Sequence, residues 1–193
     1  MSLCNRFILR IFLSAAIILG ANGAACAQTS ISTCSALQDV ANNPAAAYSL
    51  ANDIDCSASS GWNGGAGFAP INNFTGTLDG KGHKVSHLTI NRPSQDQVGL
   101  FASIMNSGHV KDLTIANAQI TGRSQVGALA GYMFISNVAG ISVVNSQVTG
   151  AARVGGFMGE SYNGTGIFKA QVDNVTVNGS DEVGGLVGRI WDG

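Results

Sequence analysis

A short apolar phrase containing glycine recurs four times in the second half of the chain at a nearly constant spacing. Its last copy reads Val-Gly-Gly-Leu-Val-Gly. The leading valines lie 28, 28 and 29 residues apart, at Val98, Val126, Val154 and Val183. A fixed period of this size is typical of solenoids and other repeat architectures, in which each repeat buries its apolar face against the next. The repeat therefore constrains the fold more strongly than any local propensity.

A second repeated stretch lies between these phrases and centres on an asparagine. Apolar residues alternate on both sides of it, as at Leu113 and Ile115 before Asn117 and at Ala118 and Ile120 after it. This alternation predicts two short strands with the Asn at the bend, because Asn tolerates the left-handed backbone of a sharp corner. Stacked copies can share amide hydrogen bonds. We therefore expect Asn117, Asn145 and Asn174 to form an internal ladder. His87 lies in the same register at the lower end of this ladder.

The composition agrees with a turn-rich β protein. Gly accounts for 26 of the 193 residues and charged residues for only 11%, whereas an ordinary soluble domain has about 25% charged residues. Helical repeats are excluded because no 3.6-residue apolar period is present, and leucine-rich repeats because their regular Leu spacing is absent. We predict an all-β fold: a right-handed parallel β-helix (solenoid) of about four coils of 28–29 residues with a short N-terminal helical cap.

The first 27 residues are typical of a secretory signal peptide. Arg6 and Arg10 precede an apolar run at 11–19, and the small-residue sequence Ala-Cys-Ala at 25–27 forms a cleavage site. The apolar run is too short to span a bilayer, so we expect a protein that is exported and not transmembrane. Lipidation of Cys26 is an alternative. It is disfavoured because Gly23 stands three residues before Cys26, where a lipidation motif has Leu or a similar apolar residue.

Residues 28–72 are predicted to form the N-terminal cap, and residues 73–193 the β-helix repeats with an incomplete last coil. The cap sequence predicts a helix that starts with a capping box at 35–38, then a strand at 48–54 and a Gly-rich loop at 57–67. Once the signal peptide is removed, an even pair of cysteines remains in an oxidising compartment. We expect a disulfide between Cys34 and Cys56; two free thiols or a metal pair are weaker alternatives because no His or further Cys lies nearby.

The Val-Gly-Gly-Leu-Val-Gly phrases and the segment 74–90 that introduces them resemble the GLUG-motif repeat family. This family occurs in bacterial exported and surface proteins, including filamentous-haemagglutinin-like adhesins and the N-terminal regions of immunoglobulin-A proteases. The segment 48–56 and Trp62 also match the usual lead-in, so the resemblance covers about residues 31–193. It departs from the pattern in the first copy, where Phe101-Ala102 replaces the final Val-Gly. The resemblance implies an extracellular repeat region and supplies no catalytic residue.

A β-helix also invites a polysaccharide-lyase hypothesis, in which stacked carboxylates hold calcium and a basic residue removes a proton. The register argues against it, because Asp112, Asp173 and Asp181 each align with uncharged residues in the preceding or following copy. His83 and His87 follow Asp79 at intervals of four, but these residues lie at turn dipeptides and not on a helix, so we interpret them as turn residues. We expect no catalytic residue, no metal site and no cofactor.

One register carries aromatic residues. Counting eight residues from each leading valine gives Asn106 and then an aromatic residue in three successive coils: Phe134, Tyr162 and Trp191. Rungs of a β-helix stack about 4.8 Å apart, close enough for aromatic contact. The column is therefore either a structural end-of-strand stack or a candidate platform for glycan rings, and the second interpretation requires that the rings be exposed.

The sequence thus favours an exported, non-enzymatic repeat module that acts in cell-surface adhesion or binding or as a structural spacer. The alternative is a polysaccharide-binding module or a carbohydrate-active enzyme. A net charge of -1 disfavours nucleic acid as a partner, which leaves a host or cell-surface glycan or protein. We expect the protein to be secreted or at the bacterial cell surface, with the periplasm or outer envelope as alternatives. Leu186 and Val187 would be uncovered in an incomplete last coil. We therefore expect either that the chain is the N-terminal part of a longer repeat protein or that it self-associates through this open C-terminal edge.

Overall fold

The computed structural model of the chain describes residues 28–191, and the predicted signal peptide at 1–27 lies outside the described residues. The described part is a parallel β-helix of about five turns, with short helical segments near its N-terminal end. The predicted fold class is confirmed. The number of turns is about one higher than expected because strands from the predicted cap also form rungs.

The strands follow one another along the chain and are short. In order they are β1 (Thr29–Ile31), β2 (Ala47–Leu50), β3 (Ile54–Asp55), β4 (Thr77–Asp79), β5 (Lys84–Ser86), β6 (Thr89–Asn91), β7 (Phe101–Met105), β8 (His109–Ala116), β9 (Gln119–Thr121), β10 (Ser124–Val126), β11 (Ala130–Phe134), β12 (Asn137–Val144), β13 (Gln147–Thr149), β14 (Ala152–Gly155), β15 (Met158–Tyr162), β16 (Gly166–Phe168), β17 (Gln171–Asp173), β18 (Thr176–Asn178), β19 (Asp181–Gly184) and β20 (Val187–Trp191).

These strands form four parallel sheets, which are the faces of the β-helix. The first face is the longest and has the order β1-β2-β4-β8-β12-β16, with β3 and β5 beside it and β17 on β12. The second face is β6-β9-β13-β18, the third is β10-β14-β19, and the fourth is β7-β11-β15-β20. Each complete repeat contributes one rung to every face, so residues one repeat apart lie directly above one another.

The interior is filled by columns of branched apolar side chains. Val126 pairs with Val154 on the third face, and Ile120 pairs with Val148 on the second. All four side chains are essentially inaccessible to solvent. Burying one such side chain stabilises the fold by about 1.5–3 kcal/mol, so the stacked columns supply the main driving force for folding.

The final glycine of the repeated phrase lies where two faces of the β-helix nearly touch. A Cβ added to Gly131 would lie 2.5 Å from Cα of Gln97, and one added to Gly188 would lie 2.5 Å from the backbone N of Val154. No side chain fits at such a distance. These glycines therefore allow the close approach of neighbouring backbone.

The cap differs from the prediction in its details. The helix α1 spans Cys34–Gln38 and continues as a 3-10 helix at Asp39–Asn42. A second 3-10 segment, at Ser57–Gly65, is interrupted by a loop at 62–64 whose backbone is not helical. The N-cap is Thr33, whose hydroxyl accepts a hydrogen bond from the backbone N–H of Ala36 at 3.1 Å, so the capping box predicted at 35–38 is wrong. The predicted strand at 48–54 is divided between β2 and β3.

The predicted disulfide is confirmed. Cys34 and Cys56 are bonded, with their Cα atoms 5.2 Å apart. Both residues are buried. The bond fastens α1 to the start of the second 3-10 segment, so the two parts of the cap are fixed relative to each other.

Candidate functional site

The strand pairing places three aromatic residues in one column on the fourth face, each near the end of its strand. Phe134 pairs with Tyr162, and Tyr162 pairs with Trp191. The ring centroids of the first pair are 5.8 Å apart with planes inclined by 31°, and those of the second pair are 6.4 Å apart with planes inclined by 8°. We call these three side chains the aromatic column.

The aromatic column is not buried in the core. Phe134 and Tyr162 are half-buried, and Trp191 is 45% exposed. Exposure was the condition under which the column can act as a platform, and this condition is met. A flat ring with one accessible side can pack against the C–H face of a sugar ring, while a fully buried stack cannot.

The lower end of the column differs from the prediction. Phe134 pairs with Met105, not with Asn106. The reason is that one segment of the first repeat is a residue shorter: seven residues separate Val98 from Met105, whereas eight separate Val126 from Phe134. The full length is restored before His109, which pairs with Asn137. Met105 is half-buried, so the column continues downward as an apolar contact.

Arg189 adds a charged group to the column, and the sequence analysis did not identify it. It lies two residues before Trp191 on β20, and its guanidinium is 4.5 Å from the centroid of the Trp191 ring. Residues two apart on a strand point to the same side, so the two-residue period of a β-strand could have predicted that Arg189 lies beside Trp191. Arg189 also forms an ion pair with Glu182, with 3.4 Å between Nη1 and Oε1.

A buried carboxylate lies on the same face. Glu160 is 8% exposed and accepts hydrogen bonds from Nε2 of Gln125 at 2.6 Å and from Nη1 of Arg153 at 3.2 Å. Arg153 also donates through Nε to Glu182 at 3.2 Å. Glu160 is therefore engaged by an amide and a guanidinium, which is the arrangement of a structural ion pair.

The asparagine column has the predicted backbone but not the predicted environment. Asn117, Asn145 and Asn174 have φ angles of +53°, +50° and +50°, and His87 occupies the same corner with +57°. Nδ2 of Asn174 donates to Oδ1 of Asn145 at 2.8 Å. All three Asn side chains are exposed, so the expectation of an internal ladder is wrong. A left-handed residue at an outer corner directs its side chain away from the core, so the hydrogen bond between Asn174 and Asn145 lies on the surface.

A second column of left-handed corners was not predicted. It contains Gln125, Arg153 and Glu182, with φ angles of +56°, +54° and +50°. These residue types do not favour the left-handed region, so local sequence carries no signal for this corner. The ladder hydrogen bonds on both sides of the corner impose the conformation.

Two His-Asp pairs connect the cap to the first repeat. Nδ1 of His83 is 3.3 Å from Oδ1 of Asp53, and Nδ1 of His87 is 3.0 Å from Oδ1 of Asp55. A hydrogen bond from the backbone N–H of Lys84 lowers the pKa of Asp53, and the hydrogen bond with His87 lowers that of Asp55. Within residues 28–191, no group of three or more His, Cys, Asp or Glu side chains is arranged to hold a metal ion.

Asp79 is a third carboxylate with a lowered pKa. Burial raises its pKa, but hydrogen bonds from the backbone N–H of Lys81 and from the ammonium of Lys111 outweigh this effect. Oδ2 of Asp79 lies 3.1 Å from Nζ of Lys81 and 3.0 Å from Nζ of Lys111. These contacts link β4 to β8, so Asp79 stabilises the stacking of two rungs.

The three carboxylates considered for a lyase site each lie opposite an uncharged residue of the neighbouring rung. Asp173 pairs with Val144, and Asp181 pairs with Ala152. Asp112 lies at a corner opposite Gly140. None of these three pairs stacks two carboxylates, so this part of the described structure lacks the calcium geometry that the hypothesis requires.

The last described rung has exposed apolar side chains. Val183 is 45% exposed, Leu186 38% and Ile190 64%. Among the described residues, no helix is long and apolar enough to cross a membrane.

No family model matches the chain, so the resemblance to the GLUG-motif family stays a prediction. The chain is 38% identical over 183 residues to halomucin of Haloquadratum walsbyi, a match that covers 88% of this chain and 2% of halomucin. It is 35% identical over 78 residues to a candidate Gly-rich membrane protein of Evansella cellulosilytica, a match that covers 38% of this chain and 9% of that protein. The chain therefore spans a small fraction of the length of both relatives.

A solved structure with a similar fold is that of a candidate immunoglobulin A1 protease from Bacteroides ovatus. The TM-score is 0.63 and the sequence identity 16%, and the match covers 85% of this chain and 62% of that chain. At this identity the likeness establishes the fold and nothing about activity.

Proposed function

We propose that the chain is an exported, non-enzymatic β-solenoid module that acts at a cell surface, where the aromatic column binds glycan chains in adhesion. The names of the relatives, halomucin and a candidate Gly-rich membrane protein, support a surface location. The observation that carries the binding role is the column itself: stacked, partly exposed rings on one rigid face of the β-helix.

The column suits a ligand that is long and repetitive. Its rings repeat at the spacing of the rungs, so an extended polysaccharide lying along the β-helix axis meets a new ring at each turn. Arg189 lies over Trp191 and adds a donor for hydroxyl or carboxylate groups at the upper end. The rungs are fixed by backbone hydrogen bonds, so little conformational entropy is lost when a ligand binds.

The non-enzymatic part of the proposal is supported by the state of the nearby charged groups. Glu160 is hydrogen-bonded to Gln125 and Arg153, and Glu182 is paired with Arg153 and Arg189. A general acid or base needs a group that can exchange a proton with the substrate, whereas these carboxylates neutralise basic partners.

The test is a screen of the exported protein against immobilised neutral and anionic polysaccharides that records both retention and chain cleavage. We expect retention without cleavage on at least one polysaccharide, and Tyr162→Ala should weaken it by at least about tenfold, as for a central aromatic contact. Phe168→Ala is the matched control, because Phe168 is an exposed aromatic residue on the first face, away from the column.

Cleavage of any polysaccharide would establish the enzymatic alternative and overturn the proposal. The absence of retention on every polysaccharide would overturn the adhesion role and favour a structural spacer.

A further inference from the structure

A groove in the N-terminal cap has the composition of a sugar-binding site. It has a volume of about 510 Å³ and lies between the α1 segment and the loop that carries Trp62. Cavities that bind small ligands have volumes of about 300–1,000 Å³. The side chains that matter for the argument are Ser35, Asp39, Asn42, Trp62 and Asn63.

Trp62 provides a flat aromatic surface inside this groove. Its ring stacks on the buried Phe68, with centroids 6.3 Å apart and planes inclined by 24°. The loop after it contains Asn63, Gly64 and Gly65 in the left-handed region, and Nδ2 of Asn63 closes the loop by donating to the carbonyl of Gly67 at 2.7 Å. The indole is therefore fixed on one side and lines the groove.

Asp39 provides the main hydrogen-bond acceptor. Among the described residues its carboxylate accepts one long hydrogen bond, from Nδ2 of Asn42 at 3.4 Å, and forms no ion pair. An exposed carboxylate with spare lone pairs can accept hydrogen bonds from two adjacent sugar hydroxyls. Within residues 28–191, the groove lining includes no Lys, Arg or His, so it disfavours an anionic ligand.

The two walls of the groove are fixed relative to each other. The disulfide between Cys34 and Cys56 joins the start of α1 to the segment that leads to Trp62. Gln38 adds a second link, because its amide donates to the carbonyl of Ala69 at 2.9 Å and accepts from its N–H at 2.8 Å. A groove held this way loses little entropy when it is filled.

We propose that this groove binds a neutral hexose unit of a glycan, with the C–H face of the sugar on Trp62 and two of its hydroxyls on Asp39. This site lies in the cap and does not depend on the aromatic column. One hexose offers a small contact area, so the expected dissociation constant is about 1 mM.

The test is an NMR titration of the ¹⁵N-labelled protein with the methyl glycosides of glucose, galactose and mannose. The chain contains two Trp residues, and Trp62→Phe assigns their two indole N–H signals. We expect a saturable shift of the Trp62 signal with at least one glycoside, while the Trp191 signal stays in place. Methyl glucuronoside, which carries a carboxylate, should bind at least about tenfold more weakly, because it meets Asp39.

The decisive variant is Asp39→Asn, which keeps the size of the side chain and removes its charge. It should weaken binding by about tenfold, the effect of losing a charge-assisted hydrogen bond. Asp181→Asn, at an exposed carboxylate on the third face, is the matched control and should bind as the parent does. An unchanged circular dichroism spectrum confirms that each variant is folded.

Three outcomes would overturn this site: no saturable Trp62 shift at about 100 mM glycoside, which is ~100 times the expected dissociation constant; equal affinity of Asp39→Asn and the parent; or a shift of Trp191 alone. The last outcome would place sugar binding at the aromatic column, so the failure of this site and of the proposed function are distinguishable.

Discussion

Two equivalent glycines of adjacent repeats should respond in opposite ways to the same substitution. Gly156 and Gly185 occupy the same position of the repeated phrase. A Cβ on Gly156 would overlap the carbonyl oxygen of Gly185 in the rung above and lie 3.1 Å from Cγ1 of Val172. A Cβ on Gly185 would meet no atom of residues 28–191 within 4 Å. Gly156→Ala therefore tests the packing of rungs, and Gly185→Ala is its internal control.

The expected magnitude follows from these contacts. Gly156→Ala must displace the rung above, which costs about 1–3 kcal/mol for overpacking. It also weakens the hydrogen bond from the N–H of Gly156 to the carbonyl of Gly185, now 3.1 Å, which adds about 1 kcal/mol. The free energy of unfolding should fall by about 2–4 kcal/mol in total. Gly185→Ala should leave it unchanged or raise it by up to about 1 kcal/mol, because Ala reduces the entropy of the unfolded chain.

The assay is urea denaturation followed by circular dichroism, with the midpoint and the slope measured for both variants. A lower midpoint at constant slope identifies a change in stability rather than in the denatured state. In a thermal melt, the Gly156→Ala loss corresponds to a decrease of about 4–16 °C for a chain of this size. Equal effects of the two substitutions would refute the argument that the glycines permit close stacking of rungs.

Three further predictions concern stability. Ile135 has a left-handed backbone with φ +44° and is 47% exposed, so Ile135→Asn should raise the free energy of unfolding by about 1 kcal/mol; a thermal melt that shows no gain over Ile135→Ala would contradict this. Reduction of the disulfide between Cys34 and Cys56 should lower it by about 3 kcal/mol, measured as the urea midpoint with and without reductant and compared with the double Ser variant. Because the pKa of Asp79 is lowered in the folded protein, the unfolded chain binds more protons, and the free energy of unfolding should fall as the pH drops below about 5. Asp79→Asn should flatten this part of the plot of unfolding free energy against pH. An unchanged plot would show that Asp79 does not contribute.

The fold was predictable because its main signal is periodic. The spacing of Val98, Val126, Val154 and Val183 gives the repeat length, and the repeat length of a solenoid specifies which residues stack. The same arithmetic placed Tyr162 between two aromatic residues. It failed at Met105, because the segment from Val98 to Met105 is one residue shorter than its counterpart in the next repeat, and a count from a fixed start cannot detect a local deletion.

The remaining errors have physical causes that a single sequence does not reveal. The Asn corners were correctly placed, but the direction of Asn145 depends on the rotation of the corner relative to the core. Arg153 adopts a left-handed backbone because its neighbouring rungs require it, against its own preference. The groove at Trp62 is formed by segments that are distant in sequence and joined by a disulfide, so no local pattern indicates it.

The binding role of the aromatic column is tested most directly by the affinity of oligosaccharides of increasing length for the protein. The oligosaccharides are prepared from a polysaccharide that the protein retains, and isothermal titration calorimetry measures each dissociation constant. We expect the affinity to rise with oligosaccharide length until the ligand reaches all three rings, and then to level off. Tyr162→Ala should remove this rise, whereas Phe168→Ala should preserve it. An affinity independent of length, or an unaltered rise in Tyr162→Ala, would contradict the account.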